Sequence, residues 1–297
     1  MKKDEIRIVY FGTPEFSAYI LEELLKFCDS YSKKRCFVQA VITRADKPTG
    51  RNHKLESSAI SKVADKYNIS TLKPHKLNQQ FIKDHATFLD CDLFIVASYG
   101  KIVPQPLLDI PKLGAINIHP SLLPKYRGPA PILTPILNGD KETGVTIMMM
   151  DNEMDHGDLL SSKVLELSEQ DNNQTLTTKL AQISAEILTK TLVKLIEGKI
   201  RPTPQDHSKA TYTKITKKTD GYFDINNPPS PEVLDRMIRA YHPWPGVWTK
   251  WNNKIIKLLP CHSERSEESR FLIQMEGKKT IPFKDFLNGY PNFPLKF

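Results

Sequence analysis

The sequence predicts an α/β protein: a Rossmann-like open, mainly parallel sheet with helices on both faces, followed by a small C-terminal β-barrel of the oligonucleotide-binding (OB-like) kind. Three observations predict it. Over the first 200 residues, short runs of Val, Ile and Leu alternate with segments of helical periodicity, the pattern of parallel strands buried on both faces. That texture stops at a proline-containing stretch, and short strand-like runs broken by turns follow it. The chain has 297 residues, 39% hydrophobic and 26% charged. At ~100–200 residues per domain this suffices for two cores, and the composition excludes a largely disordered chain.

Taken in order, Arg7–Phe11 (RIVYF) reads as a buried strand ending at Gly12. After Pro14, residues Phe16, Ile20 and Leu24 recur at four-residue spacing with Leu21 and Leu25 beside them, one apolar stripe of a helix. Cys36–Thr43 is the next strand, Ser57–Tyr67 a helix, and Leu93–Ala97, Ala115–Ile118 and Val145–Met150 are further strands. A long helix carries Leu176, Leu180, Ile183, Ile187 and Ile196 and stops at Gly198. The expected domains are 1–200, a linker at 201–208 where RPTPQD has no apolar periodicity, and 209–297. In the last of these, Pro231–Tyr241 predicts a helix capped by Ser230, and Val247–Trp251, Ile255–Leu259 and Phe271–Gln274 predict strands. Cys261–Arg270 (CHSERSEESR) has almost nothing to bury and is expected as an exposed inserted loop.

Charge is unevenly placed. Residues 207–297 hold 15 Lys and Arg against 9 Asp and Glu, most of the formal +8 of the whole chain. A bias gathered into one segment points to a polyanion such as a phosphate backbone. The start, MKKDEIRIVYFG, has no apolar stretch long enough for a signal peptide, and no run approaches the ~20 residues of a membrane helix. The four cysteines lack metal or redox spacing, so reduced packing thiols and a cytoplasmic setting are expected.

Several chemistries are excluded by their missing motifs. There is no phosphate-binding G-x-x-x-x-G-K-S/T loop, H-E-x-x-H, paired C-x-x-C or G-x-S-x-G, and no metal site is expected. Gly12-Thr13-Pro14-Glu15 holds one glycine where a dinucleotide turn needs more. What remains is Gly114–Ile132, where Asn117 and His119 interrupt an apolar strand at its carboxyl end. Two positions apart, they project from one face, at the edge where open parallel sheets bind ligands. Alternatively they only satisfy loop backbone groups. After the strand at Val145–Met150 come Asp151, Glu153, Asp155 and Asp158, any of which would orient His119 if placed beside it. An amide, an imidazole and a carboxylate without a nucleophile suit direct transfer of an acyl-like group to an amine, where donors meet the oxyanion and the carboxylate handles protons.

The stretches IVYFGTPEFS, DKPTGR, VASYGKIVP, NIHPSLLPKYRG, ETGVTIMMMDNEMDHGDLL and RAYHPWPG, in this order over about residues 6–251, resemble the methionyl-tRNA formyltransferase family of 10-formyltetrahydrofolate-dependent enzymes. The resemblance implies a catalytic trio of Asn117, His119 and Asp155, with His156 where the family usually has Thr. It implies that Ser121, Leu122, Leu123 and Pro124 line a folate pocket, and that the formyl donor is 10-formyltetrahydrofolate with no metal. It further implies initiator methionyl-tRNA as partner, contacted by Lys47, Arg51 and Lys54 on one loop and by Lys209, Lys214, Lys217 and Lys218 in the C-terminal domain, with a monomer as the default. Rival readings are a formyltransferase acting on a sugar nucleotide or glycinamide ribonucleotide, and a non-catalytic RNA-binding protein on the same fold.

Overall fold

The computed structural model describes residues 5–49, 54–261 and 271–295. Its elements run β1 (Glu5–Gly12), α1 (Glu15–Ser30), β2 (Arg35–Ile42), β3 (Lys47–Thr49), β4 (Lys54–Glu56), α2 (Ala59–Lys66), β5 (Ser70–Leu72), α3 (Gln79–Asp84), α4 (Ala86–Leu89), β6 (Leu93–Ala97), α5 (Gln105–Leu108) and β7 (Ala115–His119). They continue with α6 (Leu133–Asn138), β8 (Glu142–Met149), β9 (Leu159–Glu166), α7 (Asn173–Ile196), α8 (Pro231–Ala240), β10 (Val247–Trp251), β11 (Lys254–Pro260), β12 (Phe271–Met275), β13 (Ile281–Pro282) and α9 (Phe283–Gly289). Among the described residues no helix is long and apolar enough to cross a membrane.

The chain divides into two interleaved units rather than two consecutive ones. The first comprises residues 1–129, 144–165 and 178–212, and the second 130–143, 166–177 and 213–297. Residues 201–208, expected as a linker, run within the first unit, where Gln205 is buried.

In the first unit a seven-stranded sheet has the order β5-β2-β1-β6-β7-β8-β9. The pairs from β5 to β7 are parallel, and β8 lies antiparallel to β7. Ile8, Val9, Tyr10 and Phe11 of β1 are all fully buried, so successive side chains on both sheet faces are covered, as the continuous apolar run predicts. The α1 stripe of Phe16, Ile20, Leu21, Leu24 and Leu25 is buried as its spacing requires. The strand order turns outward on either side of β1, so β1 and β6 flank a switch point where crossovers leave in opposite directions, the place where open α/β sheets bind ligands at the carboxyl ends of their strands. There the loops after β1 and β6 are joined by Thr13 Oγ1 donating to the Tyr99 carbonyl at 3.1 Å.

The reversal between α1 and β2 brings Cys28 and Cys36, expected as reduced packing thiols, side by side with Cα atoms 4.8 Å apart. Cys91 is free and buried, and that burial pushes its thiol up to about 12.

The second unit holds a four-stranded antiparallel sheet, β10-β11-β12-β13, each strand pairing with its neighbour in sequence. A further extended segment joins it where Tyr222 bridges Trp248. Five extended pieces thus stand where a small barrel is expected. Its core is Phe223, Leu234, Ile238, Val247, Ile256, Leu258, Phe271, Ile273, Phe283, Phe286 and Phe293. Ser230 caps α8 as predicted, its hydroxyl accepting from the Val233 N–H at 3.4 Å. The expected inserted loop falls, over residues 262–270, outside the described residues.

Candidate active site

The site begins with the alternation of β7. Ile116 and Ile118 sit in the sheet core, and the register pairs Asn117 with Val96 and Met148 and His119 with Thr146. Asn117 and His119 therefore leave the sheet on the same side at its carboxyl end. Facing them is the turn between β8 and β9, where Asp155 adopts φ +50°, a left-handed conformation that Asp tolerates better than most residues.

Asp155 is the point on which the group converges. Its Oδ1 accepts from Asn117 Nδ2 at 3.2 Å and stands 3.6 Å from His119 Nδ1. Its Oδ2 accepts from the Gly128 N–H at 2.7 Å. On the other side of the imidazole, His119 Nε2 lies 2.9 Å from the Tyr126 carbonyl. A carbonyl can only accept, so Nε2 carries a proton and Nδ1 is the ring nitrogen left facing the carboxylate. The side chains of His119 and Asp155 are 5% and 14% exposed, so charge here is weakly screened. Of the other acids in the turn, Asp151 pairs with His156 Nδ1 at 2.7 Å, while Glu153 and Asp158 are exposed.

Chemically, this is an amide N–H donor, an imidazole whose Nδ1 can give or take a proton, and a carboxylate around a single edge, with no hydroxyl or thiol in the group. It suits transfer of a carbonyl-bearing group between nitrogens, where an oxyanion must be met by donors and a proton must move. A family model described as formyl transferase matches residues 6–192, and another described as formyl transferase, C-terminal domain, matches residues 215–271. The chain belongs to the formyl transferase family. It is similar to a methionyl-tRNA formyltransferase of Caldanaerobacter subterraneus subsp. tengcongensis, 41% identical over 85% of this chain and 79% of that one. It is 35% identical to another from Geobacter sulfurreducens over 96% of this chain and 94% of that one. Among solved structures, a 4-N formyltransferase from Francisella tularensis superposes with TM-score 0.67 at 20% identity, covering 88% of this chain and 99% of that one. An N-formyltransferase from Helicobacter canadensis, in complex with folinic acid and dTDP-3-aminofucose, gives TM-score 0.60 at 20% identity over 91% and 95%. These structures share the fold.

In this formyl transferase, Ser121–Pro124 follows β7 after Pro120. Ser121 is fully buried, its hydroxyl donating to the Lys125 carbonyl at 2.7 Å. Thr146 Oγ1 donates to the Ser121 carbonyl at 2.7 Å and accepts from the Leu123 N–H at 3.1 Å. Much of this backbone is thus bonded internally, with Leu122 half-buried and Leu123 buried. Of the expected tRNA-contacting residues, Lys47 and Lys54 stand at opposite ends of the β3–β4 hairpin, and Arg51 lies outside the described residues. Lys209 is in the first unit, ion-paired with Asp206 at 2.9 Å, whereas Lys214, Lys217 and Lys218 are exposed in the second.

Around the site the structure adds residues that the sequence reading did not single out. Arg127 is 2% exposed. Its Nε and Nη2 donate to Gln205 Oε1 at 3.3 and 2.7 Å, and its Nη1 donates to the Tyr212 hydroxyl at 3.2 Å. Nη2 also donates to His207 Nδ1 at 2.8 Å, and the His207 ring stacks on His156 with centroids 4.1 Å apart. An arginine in a proline-rich loop ordinarily reads as exposed. The glycine after it was the available signal, since Gly128 at φ +106° marks a backbone turned toward something specific.

Proposed function

We propose that this enzyme transfers the formyl group of 10-formyltetrahydrofolate to the α-amine of methionine esterified to initiator tRNA. The acceptor rests on one observation: curated relatives matching nearly the whole chain are methionyl-tRNA formyltransferases, as in the Geobacter sulfurreducens case. The folate donor is supported by the folinic acid bound in the Helicobacter canadensis structure and by the groups here, an amide N–H beside a carboxylate and the leucines that follow β7. A single chain carries the whole trio, so a monomer suffices, and a role in translation initiation puts it in the cytoplasm.

Asn117 and the Nδ1–H of charged His119 donate to the formyl oxygen as negative charge gathers on it. Asp155 holds the imidazolium and takes the proton that the attacking amine must lose. One C–N bond forms to the methionine nitrogen, one breaks at the folate nitrogen, and the proton passes from the first nitrogen to the second. Ser121–Pro124 pack the folate beside the trio. Lys47, Arg51 and Lys54 meet the acceptor stem, and Lys209, Lys214, Lys217 and Lys218 hold phosphates.

The test offers the enzyme 10-formyltetrahydrofolate with either methionyl initiator tRNA or a dTDP-linked amino sugar, followed by mass spectrometry. Formylmethionyl-tRNA as the sole product is expected. Formylation of the sugar alone would move the enzyme to the sugar-nucleotide class, and tRNA retention without formylation would make it a binding protein.

A further inference from the structure

The buried arginine beside the trio has no role in the proposed chemistry, although burying a guanidinium is costly unless its donors are matched. Its surroundings give it one. Tyr126 supplies the carbonyl that holds His119, and Gly128 supplies the N–H that holds Asp155, so the two residues flanking Arg127 grip the trio from opposite sides. That short segment is pinned to another strand of chain. The Arg127 N–H donates to the Thr211 carbonyl at 2.9 Å, and the Tyr126 N–H to Thr211 Oγ1 at 2.8 Å.

Gln205 extends the connection to the backbone carrying the carboxylate. Its Oε1 accepts from Arg127, while its Nε2 donates to the carbonyls of Asp155 at 3.0 Å and Gly157 at 2.8 Å. At Gly157 a Cβ would stand 2.0 Å from the Met149 carbonyl oxygen, so this turn is closely fitted against β8. One guanidinium and one amide therefore tie together the Tyr126 carbonyl, the Gly128 N–H and the left-handed turn at Asp155.

We propose that Arg127 and Gln205 are positioning residues that set the separation of His119 and Asp155 for formyl transfer. The proposal rests on the reading of Asn117, His119 and Asp155 as catalytic. His119 Nδ1 and Asp155 Oδ1 lie 3.6 Å apart, beyond a hydrogen bond. At that distance a shift on the order of 1 Å decides whether the pair works.

Steady-state formylation of methionyl-tRNA by Gln205→Glu, Arg127→Lys and Arg127→Met, with Asp155→Asn alongside, tests this. Gln205→Glu keeps an acceptor for Arg127 but replaces the donor to two carbonyls with a third acceptor, while Arg127→Lys keeps the charge and loses the planar fork. Gln205→Glu should lower kcat by about 10–100-fold, with KM for both substrates within about twofold of wild type. Its thermal midpoint should stay near that of wild type, and Arg127→Lys should fall between wild type and Arg127→Met. If Arg127→Met fails to fold, the two conservative variants decide. Wild-type kcat in folded Gln205→Glu, an effect confined to KM, or a loss that only tracks the folded fraction overturns the proposal. Wild-type turnover in Asp155→Asn overturns the trio instead.

Discussion

Around the end of β7 several buried groups are polar, whereas in the second unit the core is apolar and includes a cluster of aromatic rings. His119, Ser121, Arg127 and Gln205 are each at most 5% exposed, with His119 and Ser121 bonded to the carbonyls of Tyr126 and Lys125 and Arg127 bonded to Gln205. In the second unit, Phe293 packs edge-on against Phe286 and Trp251 with centroids 5.1 Å away in each case, while Lys214, Lys217 and Lys218 face solvent. On the roles proposed above, the contrast follows from what each region would have to do. Moving a proton and stabilising an oxyanion require donors held within fractions of an ångström, which only a desolvated, cross-linked cluster achieves. Attracting a phosphate backbone requires positive charge at a surface and tolerates mobile side chains, so the fold beneath it needs only to be stable.

If that division holds, damage in the first region appears as lost rate and damage in the second as lost stability or affinity. The largest effect is expected at His119. Replacing it by Ala should lower kcat by about 10²–10⁴-fold, while tRNA binding measured by filter retention stays near wild type. An unchanged kcat would break the comparison at its stronger side. Next comes Phe293→Ala, which empties the centre of the aromatic cluster and should cost about 3–5 kcal/mol in urea unfolding. A cost below that of an ordinary surface change would mean the second core is not built on this ring. Third, Lys217→Glu with Lys218→Glu should raise KM for tRNA about tenfold at low salt and reduce the salt dependence by about one per lost contact, with kcat retained. If kcat falls instead, the second unit has a part in positioning the reacting ends.

How far each region can be read in advance differs for the same reason. The central strands are legible because apolar runs have one use in a parallel sheet: Arg7–Phe11 lies inside β1, and Leu93–Ala97 coincides with β6. Edge strand β9 is not, because exposed Ser162 and half-exposed Ser161 and Lys163 place three polar residues in a row and interrupt its alternation. The long helix starts at Asn173, earlier than its apolar residues indicate, because Asn172 Oδ1 accepts from the N–H groups of Gln174 and Thr175. Asn117 and His119 are legible as a pair since two-residue spacing on a strand fixes their side. Choosing Asp155 from four acids needed the family resemblance, because a turn has no such periodicity. Arg127 and Gln205 meet across 78 residues of sequence, and no local pattern encodes that meeting.

The smallest effect sharpens the comparison most cleanly, because it touches nothing near the trio. Ser230 sits outside the α8 core face, and its hydroxyl serves the Val233 N–H at the helix start, next to Pro231. Removing it strands one backbone donor without opening a cavity, so Ser230→Ala should cost about 1 kcal/mol, read as a small fall in thermal midpoint. Within the second unit the far end of α8 is held independently, since Arg239 bonds both Asp235 and the Asp171 carbonyl. The helix should therefore fray at one turn rather than detach. With α8 still seated, kcat and both KM values should match wild type. A changed kcat from a lost cap this small would mean that stability in the second unit and rate in the first are coupled, and the division drawn between the two regions would fail.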